Sequence, residues 1–151
     1  MSSISVPRAW VRLLRAHTEL TRRMDARLRE GHGITLRGYE VLLALSDAPD
    51  GRLRRVDLAA KVLLTQGGVT RLLGPLEREG LVSRAASPTD RRVVFAQLTA
   101  AGRRRLSQAR RTHHRDIEAL FTERFGAADL EALDALLSRL PGAEDERDWA
   151  G

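Results

Sequence analysis

Residues 64–102 read LTQGGVTRLLGPLEREGLVSRAASPTDRRVVFAQLTAAG, and the hydrophobic period changes within them. Thr65 suits an N-cap, and Val69, Leu72, Leu73 and Leu76 recur at the three-and-four spacing of a buried helical face, which predicts a helix from Thr65 to Glu79. Gly80 stands where a helix leaves through a left-handed residue. Residues 81–85 then predict a strand, Ser87-Pro88-Thr89-Asp90 a turn, and residues 93–98 a second strand. Together they form a hairpin with an arginine-bearing tip. Thr99 can cap a long helix that follows.

Helices surround this stretch. From Trp10, the residues Trp10, Leu13, Leu14, His17, Leu20, Met24 and Leu28 keep one face, with Pro7 in the first turn and Gly31-His32-Gly33 as the stop. Thr35 can cap a second helix that carries Leu36, Tyr39, Leu42 and Leu43 on one side. Ala48-Pro49-Asp50-Gly51 signals a turn. A short helix over residues 56–62 is predicted to face Val56, Ala59, Ala60 and Leu63 inward. After Thr99 the stripe is Leu106, Ala109, His113, Ile117, Leu120 and Phe121, broken at Gly126. A last helix carries Leu130, Leu133, Leu136, Leu137 and Leu140 and stops at Pro141-Gly142, and the acidic remainder AEDERDWAG reads as frayed.

The fold class is therefore mainly α, in the α+β sense. Residues 35–98 give three helices and a hairpin, the element order of a winged helix-turn-helix lobe. Residues 1–34 and 99–151 give helices whose apolar stripes exceed what a domain of this size needs for its own core. A second copy of the chain is the simplest cover, so these N- and C-terminal helices are expected to form the dimerisation region of a homodimer.

Composition limits the function. The chain has 151 residues, 42% of them hydrophobic and 30% charged, with a net charge of +6. Residues 1–34 carry seven basic and three acidic groups, whereas 125–151 carry two and seven. A basic body with an acidic end suits a polyanionic partner, double-stranded DNA first. Aromatic residues are only 4%, too few for single-strand binding by base stacking. The absence of cysteine excludes disulfides, thiolate metal sites and cysteine nucleophiles. No apolar run spans a membrane and no secretory h-region opens the chain, so a cytoplasmic location is expected. No Walker loop, dinucleotide fingerprint or nucleophile elbow is present, so neither an enzyme nor a cofactor is expected. His113 and His114 point about 100° apart on a helix, and no metal site is expected.

Two pieces of this sequence carry a family resemblance. Asp90-Arg91-Arg92, a hydrophobic strand and Leu98-Thr99-Ala100-Ala101-Gly102 form one. Leu64-Thr65-Gln66, Val69-Thr70-Arg71-Leu72 and Leu76-Glu77-Arg78-Glu79-Gly80-Leu81-Val82 form the other. Together they resemble the MarR family of bacterial transcription regulators over roughly residues 10–140. The resemblance implies a homodimer with interlocked first and last helices, two winged lobes on one pseudo-palindromic operator, and repression relieved by a small ligand, often aromatic or phenolic.

With Val69, Leu72, Leu73 and Leu76 inward, the opposite face of the recognition helix carries Gly67, Thr70, Arg71, Gly74 and Arg78. Gln66, Thr70 and Arg71 are the candidates for base edges. Thr65 is a cap whose neighbouring amides can also face phosphate. Gly67, Gly68, Gly74 and Pro75 depart from the family's usual pattern and predict a kink over residues 71–74. The glycines leave two alternatives open: close backbone approach to DNA, or weakened base reading with more affinity carried by the wing. Arg91 and Arg92 are placed in a minor groove, with Asp90 holding Arg92 in a bidentate pair. Arg110, Arg111 and Arg115 are expected to be solvated. Trp10, His17 and Tyr39 could line the ligand cleft that the resemblance implies, and core packing explains them equally well. The alternative function is a weakly selective architectural DNA-binding protein.

Overall fold

The computed structural model describes residues 5–62 and 64–143. The inward role of Leu63 and the fraying of the acidic end from residue 144 lie outside the described residues. Among the described residues six α-helices and three strands follow in the order α1 (Val6–His32), α2 (Leu36–Ser46), β1 (Arg52–Arg54), α3 (Arg55–Lys61), α4 (Gln66–Arg78), β2 (Val82–Ala86), β3 (Val94–Leu98), α5 (Ala100–Thr122) and α6 (Ala127–Leu137), with a single 3-10 turn over Pro49–Gly51 before β1. The chain divides into two compact units, Met1–His114 and Arg115–Gly151.

The first unit is built around α2. Thr35 caps it by accepting the Gly38 amide at 2.8 Å, and Asp25 of α1 accepts the Leu36 amide at 2.8 Å. Burial raises the Asp25 pKa, but that amide and the Arg29 guanidinium outweigh it and hold the carboxyl below its usual range. Tyr39, Val41, Leu42, Leu43, Ala44 and Leu45 are all buried, so α2 is enclosed on nearly every side rather than along one stripe. Leu28, Leu58, Val69, Leu73, Leu81 and Leu98 close the same core.

The sheet has three strands in the order β1-β3-β2, one more than the sequence predicts. Arg52 pairs with Gln97 and Arg54 with Phe95, antiparallel. The turn before β1 is made by Asp50 at φ 58° and Gly51 at φ 66°, two consecutive left-handed residues of types that tolerate that region. In α3 the buried residues are Leu58 and Ala59, followed by Val62. Val56 is 48% exposed and Ala60 is exposed, so the predicted inward face is corrected. On a two-turn helix, two apolar faces are spaced equally well, and packing chooses between them.

Pro75 lies inside α4, yet the helix runs unbroken from Gln66 to Arg78. A residue before proline avoids the helical region because its Cβ meets the proline ring, and Gly74 has no Cβ. The buried Val69, Leu73 and Leu76 hold the helix on both sides of the lost hydrogen bond. At its end Gly80 has φ 71°, while the Gly80 amide donates to the Glu77 carbonyl and the Leu81 amide to the Leu76 carbonyl. This is a Schellman ending, closed by the buried Leu76 and Leu81.

The start of α5 is tied to β2. The Thr99 hydroxyl donates to the Gly80 carbonyl at 2.7 Å, with the Leu81 carbonyl at 3.0 Å, and accepts the Gly102 amide at 3.0 Å. Arg105 donates to the last carbonyl of α1, that of His32, at 2.7 Å and approaches Glu79 at 3.4 Å. His32 meets the Thr112 hydroxyl at 2.9 Å.

Along α1 the apolar stripe is not covered evenly. Met24 and Leu28 are buried, while Val6, Trp10, Val11, Leu13 and Leu14 are exposed. In the second unit, Asp129 accepts the Gly126 amide at the start of α6, and the Phe121 and Phe125 rings lie 6.0 Å apart. Phe125, Leu136, Leu137 and Leu140 are exposed. Among the described residues no helix is long and apolar enough to cross a membrane.

Candidate nucleic-acid interface

A helix can read DNA only if its inner face is anchored and its outer face is bare. In α4, Val69 and Leu73 are at most 1% exposed, and Leu72 is half-buried. Thr65, Gln66, Gly67, Thr70 and Arg71 are exposed, and Gly68 is half-buried. The Thr65 hydroxyl accepts the Gly68 amide at 3.1 Å, so the cap does what its position predicts. Thr70 turns its hydroxyl back onto the Gln66 carbonyl at 3.0 Å. The Arg71 side chain has no hydrogen bond or ion pair among the described residues. A long cation without an intramolecular partner is free to extend to a base or a phosphate.

The hairpin tip is ordered by short side chains. Ser87 Oγ accepts the Thr89 and Asp90 amides, each at 3.3 Å, and the Ser87 amide donates to the Val93 carbonyl at 3.1 Å. Asp90 Oδ1 accepts the Arg92 amide at 2.9 Å and Arg92 Nε at 3.3 Å. One carboxylate oxygen thus serves both donors, and the expected bidentate fork is not formed. The aspartate fixes the backbone of the tip first and the guanidinium second. Arg92 remains 92% exposed, and Arg91 is exposed with no partner among the described residues. Below the tip, Arg84 of β2 pairs with Glu77 of α4 at 3.2 Å, and Arg52 of β1 lies 4.9 Å from the centre of the Phe95 ring. These contacts link the strands to one another and to the helix. Turn chemistry points to the Ser87 role, whereas the Arg84–Glu77 pair, seven residues apart, has no signal in the sequence.

The residues chosen for a ligand cleft differ in exposure. Trp10 and His17 lie on the exposed part of α1, whereas Tyr39 is 1% exposed in the core. The Tyr39 ring faces His113, with centroids 4.9 Å apart. The Tyr39 hydroxyl and Arg110 Nε are buried and lack hydrogen-bond partners, so Arg110 is not simply solvated as expected. Burial and the Asp47 charge raise the Tyr39 pKa, and Arg110 offsets part of that rise. The phenol is therefore neutral at pH 7. No cluster of three or more His, Asp or Glu side chains fit to hold a metal occurs among the described residues.

Comparison with known proteins places these features. A MarR-family sequence model matches residues 32–93. The chain is 36% identical over 90 residues to the HTH-type transcriptional repressor YetL of Bacillus subtilis, covering 60% of this chain and 54% of that protein. It is 37% identical over 90 residues to the HTH-type transcriptional regulator MhqR of the same organism, covering 60% of each. The match thus spans little more than half the length of these curated relatives. Among solved structures it is similar to AbsC, a MarR family transcriptional regulator of Streptomyces coelicolor, at 27% identity and a TM-score of 0.77 over 91% of this chain and 93% of that one. It is also similar to Sco3205, a MarR family regulator of that organism in complex with DNA, at 25% identity and a TM-score of 0.78 over 90% and 86%.

Proposed function

The chain belongs to the MarR family, and on that premise we propose that it is a dimeric regulator of transcription in the cytoplasm. It binds a pseudo-palindromic operator in double-stranded DNA and acts as a repressor released by a small ligand. Catalysis has no part in it. Residues 35–98 form the DNA-binding lobe, and residues 1–34 with 99–151 form the pairing region.

The observation that carries this reading is a lobe with two outward basic features, each on an anchored support. Arg71 extends from a helix whose inner face is committed to the core. Arg91 and Arg92 extend from a tip held by Ser87 and Asp90. In the proposed complex Thr65, Gln66, Gly67, Gly68, Thr70 and Arg71 face the major groove. Asp90 holds the wing so that Arg91 and Arg92 meet the minor groove. That the repressor YetL and the DNA-bound Sco3205 are among its relatives supports the same reading.

For the ligand, the Tyr39 hydroxyl and Arg110 Nε are two buried donors without acceptors, next to His113. Such groups suit a compact molecule with acceptor oxygens, such as an aromatic acid. Trp10 and His17, proposed for the same ligand, are far more exposed than Tyr39.

The test is competition between a palindromic duplex taken from upstream of the gene and bulk DNA. A preference of about a thousandfold or more is expected of a specific regulator. A ratio near one would favour the architectural alternative, which the bare Gly67 and Gly68 also fit, and no binding even at low salt would overturn both. On the same duplex, Arg92→Ala is expected to weaken binding and lower the slope of log K against log salt by about one unit, the release of one phosphate contact. An unchanged slope would remove Arg92 from the interface.

A further inference from the structure

Thr70 stands on the exposed outer face of α4, and its hydroxyl already donates to the Gln66 carbonyl at 3.0 Å. Cβ of threonine bears one oxygen and one methyl group. With the oxygen committed to the helix, the methyl is the heavy-atom group left to face outward, and the side chain has no proton to offer a base. Its neighbours three and four residues away are Gln66, Gly67, Leu73 and Gly74. Leu73 is turned into the core and two are glycines, so Gln66 is the one side chain of that set left beside it on the exposed face.

Glycine at position 74 has an internal reason, the proline that follows. Glycine at 67 has none. Among the described residues a Cβ there would meet nothing closer than the Thr65 hydroxyl oxygen at 4.0 Å, and its φ lies outside the left-handed region. Glycine is nonetheless a poor helix former. The bare backbone at 67 leaves room for close approach from outside the chain. A side chain as short as threonine reaches a base edge only where the helix backbone lies close to the floor of the groove, and an absent Cβ permits that approach.

We infer that Thr70 reads the 5-methyl group of a pyrimidine, thymine or 5-methylcytosine, by apolar contact in the major groove, and that Gly67 sets the depth at which it does so. The inference rests on the DNA-reading function proposed above. It selects the close-approach alternative for the glycines and gives Thr70 a role distinct from that of Arg71, which is suited to a guanine edge.

The experiment begins with selection of duplexes from a random-sequence pool by the full-length protein, followed by titration of the selected duplex with each thymine in turn replaced by deoxyuridine. One thymine per half-site is expected at which loss of the methyl weakens binding about fourfold, the effect of exposing one methyl group. Thr70→Val is expected to keep that ratio and Thr70→Ser to bring it to one. A second pool carrying 5-methylcytosine for cytosine separates the two sources of the methyl: methylcytosine recovered at that position supports contact with either base, and thymine alone restricts the contact to thymine. Gly67→Ala is expected to keep or raise the melting temperature while weakening binding tenfold or more. Overturning results are indifference to every deoxyuridine, a Thr70→Ser variant that keeps the ratio, or a Gly67→Ala variant that binds as the parent does. A pool from which no sequence enriches even at low salt would instead overturn the DNA-reading function itself, and this contact with it.

Discussion

Gly102→Ala is expected to destabilise the chain by about 3 kcal/mol or more, among the larger effects a single methyl group can have. A Cβ at this position would overlap the Leu81 carbonyl oxygen and come within 2.7 Å of Leu98 Cδ1. The side chain could turn away, but the carbonyl cannot. It accepts the Thr99 amide at 3.1 Å and lies 3.0 Å from the Thr99 hydroxyl, and Leu81 itself closes the end of α4. Relief therefore requires α5 to separate from the β2 edge, which breaks the cap at Thr99 and loosens the hairpin that carries Arg91 and Arg92. Thermal unfolding by circular dichroism would show a fall in melting temperature on the order of 10 °C. Gly31→Ala is the control. It lies in a helix with nothing within 4 Å of the added carbon, and it is expected to leave stability unchanged or raise it slightly. If the two variants melt alike, the close contact between α5 and Leu81 does not hold the lobe together.

That contact also explains why so much of this lobe is legible in the sequence. The run Leu98-Thr99-Ala100-Ala101-Gly102 specifies one buried side chain, one cap and one missing Cβ, and each has a single structural use. The recognition helix is equally explicit, because its apolar spacing, the Thr65 cap and Gly80 agree on the same boundaries to within a residue. β1 carries no such signal. Three residues with only Leu53 apolar cannot show a period of two, and their strand character comes from pairing with β3, distant in sequence. The Asp90–Arg92 contact was legible as a pair but not in its geometry, since backbone amides are invisible to side-chain reasoning. The family resemblance groups Tyr39 with Trp10 and His17 at an implied cleft, while the sequence itself shows only that they sit on apolar stripes. A stripe shows which face of a helix avoids water and is silent on what covers it. On α1 the same stripe is core at Met24 and Leu28 and open at Trp10 and Leu14.

The open end of that stripe leads to the second large effect. Val6, Trp10, Leu13 and Leu14 fall on one helical face, and Trp10 is 59% and Leu14 45% exposed. A contiguous apolar surface on a basic, highly charged chain is a pairing surface before it is anything else, and the homodimer proposed here covers it. Introducing carboxylates by the double substitution Trp10→Asp and Leu14→Asp would place two unpaired charges in that interface, at several kcal/mol in total. Both positions are largely solvent-exposed in the single chain, so the fold is expected to survive with its melting profile little changed at low concentration. Sedimentation is expected to show a monomer. Operator affinity is expected to fall by a hundredfold or more, because the second lobe would no longer be delivered at the high effective concentration that a tethered partner supplies. Binding to one isolated half-site, already limited to a single lobe, is expected to change far less. A variant that remains dimeric would move pairing away from the first helix. A monomer that binds the full operator as tightly as the parent would show that the two lobes do not act together on DNA.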